Sequence, residues 1–278
     1  MKKFFAHIRL LRPINLLTGL FAVWVSGAIL NELHQRAELL FAVMTVMLYN
    51  AAANALNDYL DVDADRINHP NRPLSTGIVQ RKTALILSVI LSVFGSVTAL
   101  FLPMQATVLA MVVTLPLMIV YNIKLKKLPL VGNVVIACIL GLTFLFAGAA
   151  FGNMQPMIIP AMLAFGLTLL RELVKDIEDI EGDTRSGLKT YPVIFGLENA
   201  EKLVIGLSFL TAIGVLSPWW FGIYGRLYLI TVIAGVELPL VIITILFIKY
   251  SSSDRYVGIA AKLLKFSTIT GVLAIYLG

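Results

Sequence analysis

Apolar residues come in nine runs, at roughly 14–30, 38–57, 83–101, 104–121, 131–150, 155–175, 203–220, 227–248 and 258–277. Most reach or approach the ~20 residues that a helix needs to cross a bilayer. Backbone N–H and C=O groups find no water inside lipid, so such runs satisfy their hydrogen bonds internally as helices. A β-barrel would need strict in–out alternation over short segments, and the chain has none. Leu115-Pro116 and Leu238-Pro239 fall inside runs, which membrane helices tolerate better than soluble ones. The pattern predicts an all-α polytopic membrane protein, one bundle of nine transmembrane helices forming a single domain over residues 1–278. The first run follows Met1-Lys2-Lys3 without a small-residue cleavage site, so it is read as a retained span rather than a signal peptide.

Composition narrows the class. Of 278 residues, 59% are hydrophobic and 14% charged, with a mean hydropathy of +0.89; a soluble domain would carry about 25% charge. This excludes a soluble enzyme, a disordered chain and a nucleic-acid binder. The net charge of +6 has a topological reading instead. With nine spans, 20 of the 22 Lys and Arg residues fall on one side, and only Arg36 and Arg226 on the other. Basic loops stay in the cytoplasm, which predicts a cell-membrane protein with a cytoplasmic N-terminus and an external C-terminus. Cys138 is the only cysteine, so no disulfide framework exists.

The acids are not scattered. Asp58, Asp61, Asp63 and Asp65 form one window, and Glu172, Asp176, Glu178, Asp179, Glu181 and Asp183 another. The windows end spans two and six on the cytoplasmic side, where charge is costly unless paired, solvated or functional. If the helix continues past the second run, Asn57, Asp61 and Asp65 share one face, with Asn54 and Asp58 flanking it and Asp63 roughly opposite. In the second window Glu172, Asp176, Asp179 and Asp183 share a face, while Glu178 and Glu181 fall off it. Like charges at i, i+4 destabilise a helix, so a cation is needed between them. Oxygen-only donors favour Mg²⁺ over zinc or copper; the nearby His69 is read as a loop residue. Two such helices at one membrane face could close around a shared pair of metal ions.

Bases follow each window: Arg66, Arg72 and Arg81 after the first, Arg185 and Lys189 after the second. Arg171 and Lys175 stand beside the second window's acids, and Tyr121-Asn-Ile-Lys124-Leu-Lys126-Lys127 ends span four on the same side. Residues 68–77 are rich in turn formers and predict a structured loop. Hard cations combined with Lys and Arg around one cavity suit a diphosphate. Each window is also one half of a weak internal repeat, which predicts a pseudo-symmetric bundle with one cytoplasm-facing site at the repeat interface. A cation-coupled transporter shares that logic, but its acids lie near mid-span beside broken helices. A lipid-binding scaffold leaves the clustered carboxylates unexplained.

Asn57-xxx-Asp61-xxx-Asp65, followed by Arg66 and Asn71-Arg72-Pro73, resembles the first aspartate-rich motif of the UbiA superfamily of intramembrane prenyltransferases. Asp179-xxx-Asp183, followed by Gly187-Leu-Lys189-Thr, resembles the second, and the resemblance spans nearly the whole chain. It implies an all-α membrane bundle with a cavity open sideways to lipid, and Mg²⁺-dependent transfer of a prenyl group from a prenyl diphosphate to a lipid-soluble acceptor. Carried over, Asn57, Asp61, Asp65, Asp179 and Asp183 would hold the metals and the diphosphate, the four aspartates forming the catalytic set. Arg66, Arg72, Tyr121 and Lys126 would contact or position the diphosphate. Many members carry Tyr-xxx-Lys after span four; here that position is Leu125, between Lys124 and Lys126, and Lys126 is favoured.

Within the superfamily, the segments Asn57–Leu74 and Arg171–Asp183 look most like the digeranylgeranylglyceryl phosphate synthases. These transfer a geranylgeranyl group from its diphosphate to the hydroxyl of geranylgeranylglyceryl phosphate. Branches acting on quinone, tocopherol or chlorophyll precursors share the aspartates. A glyceryl phosphate acceptor needs a second anion site, which Lys175, Arg185 and Lys189 could supply. Asp58 and Asp176 are candidates, by position, for handling the acceptor and its proton. Phe144, Phe146 and Phe165 could line a cavity for the prenyl tail, although packing is the commoner role of such residues.

Overall fold

The computed structural model describes residues 2–250 and 254–278. α1 (Lys2–Leu10) and α2 (Pro13–Ile29) lead into α3 (Arg36–Leu60), α4 (Val62–Asn68) and α5 (Arg81–Ala99). Next come α6 (Met104–Ile123), α7 (Val131–Ala150), α8 (Gln155–Glu178) and α9 (Ile180–Arg185). α10 (Tyr191–Phe195), α11 (Leu197–Trp220), α12 (Arg226–Tyr250) and α13 (Asp254–Leu277) follow. The described residues contain no strand. Eight helices are long and apolar enough to cross a membrane, or nine if α1 and α2 count as one bent span. The protein is therefore an all-α, multi-pass membrane protein. Several helices outrun their apolar runs: the run at 203–220 belongs to a helix that starts at Leu197.

The first helix lies outside the predicted spans. Pro13 lacks an N–H and biases the residue before it away from the α conformation. Arg12 accordingly sits at φ 53°, and the chain bends by 49° between α1 and α2. Phe4, Phe5 and Ile8 face outward while Ala6 and Leu10 are buried, the arrangement of a helix lying in a membrane interface.

The two internal prolines leave a clear mark. Pro116 and Pro239 would each drive their rings into the carbonyl four residues back. The helix widens to a π turn at Leu109–Thr114 and at Ile233–Glu237, where those carbonyls lie. Thr270 Oγ1 donates to the Gly235 carbonyl at 2.8 Å, satisfying a group that would otherwise be stranded in lipid.

Each half of the chain has its own core. One packs Val23, Ala42, Ala106 and Phe146 from α2, α3, α6 and α7. The other packs Leu170, Val204, Tyr228 and Leu264 from α8, α11, α12 and α13. α13 packs on both α8 and α2, so the last helix closes the bundle against the first span. Polar pairs add to the contacts in the first half: Thr45 meets Thr98 and Tyr49 meets Ser96, each at 2.9 Å between α3 and α5. The loop at 68–77 is a series of tight turns, with Leu74 and Val79 anchored in a small apolar cluster.

Candidate active site

α3 and α8 end in the same way. Asp61 (φ −100°, ψ 12°) and Asp179 (φ −94°, ψ 5°) leave the α conformation. α4 and α9 restart immediately after them. One continuous carboxylate helix was expected, and a break is found instead. The hydrogen-bond register survives the break. Asp65 N bonds to Asp61 O at 2.8 Å and Asp183 N to Asp179 O at 3.0 Å, so Asp65 and Asp183 stay on the inward face and are buried.

The residues off that face turn outward. Asp63 pairs with Arg66 at 3.2 Å and Glu181 with Arg185 at 2.5 Å, all four largely exposed. Arg66 and Arg185, expected at the diphosphate and the acceptor, therefore line neither of the two cavities described below. Each has an acid one helical turn back on its own helix and folds onto it. Lys189 is exposed and also lies outside both cavities.

The Asn68 side chain links the segments that carry the two windows. Asn68, at the end of α4, donates from Nδ2 to the Asp179 carbonyl and accepts at Oδ1 from the Gly182 N–H, both at 3.0 Å. A Cβ at position 182 would fall 2.3 Å from the Asn68 side chain, so glycine is required for this approach.

The joined segments border a polar cavity of about 80 Å³, walled by Asn57, Asp61, Asp65, Arg72, Tyr121, Lys126, Lys175, Asp176 and Asp183 among others. Nine of the expected residues thus come together. Lys126 Nζ lies 2.6 Å from Asp61 Oδ1, and Arg72 Nη1 lies 2.5 Å from Asp65 Oδ1. Gly132 lets α7 approach the Lys126 backbone, since a Cβ there would sit 2.8 Å from Lys126 Cα. Asp176 Oδ2 accepts from Asn133 Nδ2 at 2.8 Å. Asp179 stands just outside the cavity wall, its Oδ1 3.3 Å from His69 Nε2. Asp58 does not reach the cavity. It is buried outside it, paired with Arg12 and 3.7 Å from Arg72.

Environment separates the titrating groups. Burial raises the Asp183 carboxyl and the charge of Asp179 adds to this, pushing it up to about 6. Burial would raise Asp179 too, but the His69 hydrogen bond and the Lys175 charge outweigh it and hold it below the usual carboxylate value. Burial pulls Lys126 below the ordinary ammonium value, and Asp61 offsets only part of that.

A larger cavity of about 440 Å³ abuts the polar one, with Asn57, Tyr121, Glu172 and Lys175 in both walls. Its wall includes the polar Asn50, Asn54, Arg12 and Arg171 and the apolar Met118, Phe144, Phe146 and Val232. Phe165 is not in its wall. Sequence reasoning missed Arg12, Asn68 and Asn133. Asn133 carried a signal, a lone amide in an apolar run; Asn68 lies three residues after Asp65 and looked like part of a turn.

The sequence and the fold are similar to those of known proteins. A digeranylgeranylglyceryl phosphate synthase from Thermococcus kodakarensis is 36% identical over 274 residues, covering 98% of this chain and 97% of its own. A solved structure, described as giving structural and mechanistic insights into the biosynthesis of digeranylgeranylglyceryl phosphate synthase in membranes, superposes over 100% of this chain and 99% of its own, with a TM-score of 0.74 and 29% identity. A UbiA homologue from Archaeoglobus fulgidus, solved with DMAPP and Mg²⁺, shares the fold at a TM-score of 0.69 and 22% identity, over 95% of this chain and 98% of its own. The UbiA prenyltransferase family model matches residues 15–266, and the chain belongs to the UbiA prenyltransferase family.

Proposed function

We propose that the protein transfers a geranylgeranyl group from geranylgeranyl diphosphate to the hydroxyl of geranylgeranylglyceryl phosphate, in a Mg²⁺-dependent reaction. The observation that carries this reading is a polar cavity with carboxylates from both halves, sharing a wall with a larger cavity lined partly by Phe and Met. A diphosphate head and a prenyl tail need those two environments side by side. The acceptor follows from the synthase relatives, matched over nearly the whole chain.

The donors suit a hard divalent cation. Asp61, Asp65, Asp179 and Asp183 offer only oxygen, and Asp65 Oδ2 is buried without a hydrogen-bond partner. Among the described residues no three acidic, His or Cys side chains yet converge on one point; Lys126 and Arg72 hold Asp61 and Asp65 instead. Mg²⁺, held by these aspartates with Asn57, would neutralise charge on the diphosphate oxygens.

The chain's own groups account for the rest. Arg72 and Lys126 exchange their carboxylates for diphosphate oxygens and are already in place as charge grows on the leaving group. Tyr121, in the wall of both cavities, stands where the head meets the tail. Phe144 and Phe146 help keep water from the allylic carbon as its C–O bond lengthens. Asp176, fixed by Asn133 and with no cation bonded to it among the described residues, accepts the acceptor's hydroxyl proton. The site faces the cytoplasm, with the N-terminus inside and the C-terminus outside, because 20 of 22 basic residues then lie inside.

The test is a product assay on protein purified in detergent, offering geranylgeranyl diphosphate with each acceptor class in turn. Digeranylgeranylglyceryl phosphate is the expected product. Efficient prenylation of a quinone or chlorophyll precursor, with no turnover of geranylgeranylglyceryl phosphate, would move the protein to the aromatic branch.

A further inference from the structure

A glyceryl phosphate acceptor brings a second anion, and the loop bases that the sequence offered for it face away. The larger cavity supplies an alternative. On α13 the residues in its wall include Ala261, Lys265, Thr268, Val272 and Ile275, a single helical face. Lys265 is the one charged residue on it. It lies 11 residues into a helix that begins at Asp254, roughly 16 Å along the axis at 1.5 Å per residue. Its side chain is exposed, and it stands two turns into the apolar run at 258–277, where a charge is costly unless paired, solvated or functional. Among the described residues Lys265 has no ion pair.

α8 packs against α13 and places Arg171 in the same wall. Arg171 gives one Nη to Glu172 at 3.0 Å, which leaves the rest of its guanidinium fork for another acceptor. Glu172 also has Lys175 at 3.6 Å, so its charge is not left to Arg171 alone. Glu178 is the other acid in this wall, so the lining carries more positive than negative charge around Arg171, Lys175 and Lys265. Neither Arg171 nor Lys265 borders the smaller polar cavity with its aspartates, whereas Lys175 borders both. Two anion sites with Lys175 between them match two anionic substrates that must meet.

We infer that Arg171 and Lys265 form the subsite for the phosphate of the acceptor lipid, a monoester headgroup held by charge-assisted hydrogen bonds. This rests on the proposed acceptor. The two cations hold the headgroup beside the polar cavity and leave the diphosphate site to Arg72, Lys126 and the aspartates.

The experiment compares Arg171→Gln and Lys265→Gln with the unaltered protein, using geranylgeranylglyceryl phosphate and its dephosphorylated alcohol as acceptors. Lys265→Gln breaks no ion pair and Arg171→Gln leaves Glu172 its lysine, so both variants should fold. Each should raise the acceptor KM on the order of tenfold, the worth of a hydrogen bond to a charged group, while KM for geranylgeranyl diphosphate stays within about twofold. The advantage of the phosphorylated acceptor over the alcohol should shrink by the same factor. Arg185→Gln and Lys189→Gln should change neither KM. An unchanged acceptor KM, an equal rise for both substrates, or an intact preference for the phosphorylated acceptor would overturn the assignment. If the unaltered protein fails to use the phosphorylated acceptor at all, the functional reading falls first, before any variant is measured.

Discussion

At the end of α3, Asp61 breaks the helix, Asp65 turns inward and Asp63 pairs outward with Arg66. At the end of α8, Asp179, Asp183, Glu181 and Arg185 repeat each of those moves. The partners of the inward acids differ. In the first half they meet full charges: Asp58 with Arg12, Asp61 with Lys126, Asp65 with Arg72. In the second half Glu172 meets Arg171 and Lys175, Asp176 meets the Asn133 amide, Asp179 meets His69, and Asp183 has no ion pair among the described residues. Burial and the charge of Asp179 push the Asp183 carboxyl up to about 6, whereas His69 and Lys175 hold Asp179 low. One half pairs each of its inward acids with a cation, and the other gathers its cations on Glu172. A pseudo-repeat can thus preserve backbone geometry while its inward acids meet different partners.

The largest expected effect comes from breaking either half. Asp61→Asn, Asp65→Asn, Asp179→Asn and Asp183→Asn should each lower kcat/KM by on the order of 10²-fold or more, as expected when a preorganised charge at a reacting centre is lost. Thermal unfolding in detergent should stay near that of the unaltered protein. Steady-state assays with excess Mg²⁺ check this, and variants of one half that keep full activity would mean that half is structural only.

A smaller effect should follow from parting the halves. Asn68→Ala removes two hydrogen bonds worth about 1 kcal/mol each, and Gly182→Ala would push the Asn68 side chain away. Either should cost on the order of tenfold in kcat/KM without changing the preferred acceptor. Full activity in both variants would show that the clamp does not position the site.

The smallest effect belongs to the outward pairs. Exposed ion pairs contribute about 0–1 kcal/mol, so Asp63→Asn and Glu181→Gln should stay within about twofold in rate and within about 2 °C in unfolding temperature. If Asp63→Asn were as damaging as Asp61→Asn, the assignment of faces would be wrong.

The bundle was legible because lipid leaves the backbone little choice: every apolar run of spanning length became a helix. The inward and outward faces of the windows were legible from helical spacing, and this held although Asp61 and Asp179 interrupt the helices, since the hydrogen-bond register carries through. The bases were harder to read. Spacing along the chain placed Arg66 and Arg185 near the acids without showing that each had a closer acid on its own helix. Arg12 was hidden for a related reason. Its role beside Asp58 depends on the turn forced by Pro13 and on packing across 46 residues of sequence, neither of which appears as a local pattern. Asn68 joins residues more than 100 positions apart, and nothing in its own segment announces that contact.

The most direct test of two halves making one site is calorimetric titration of geranylgeranyl diphosphate into the detergent-purified protein, with Mg²⁺ and with EDTA. Asp65→Asn represents the first half and Asp183→Asn the second. The account predicts that binding by the unaltered protein depends on Mg²⁺, and that each variant weakens it on the order of tenfold or more, by loss of a charge-assisted contact. Binding unaffected by EDTA, or a loss confined to one of the two variants, would contradict it.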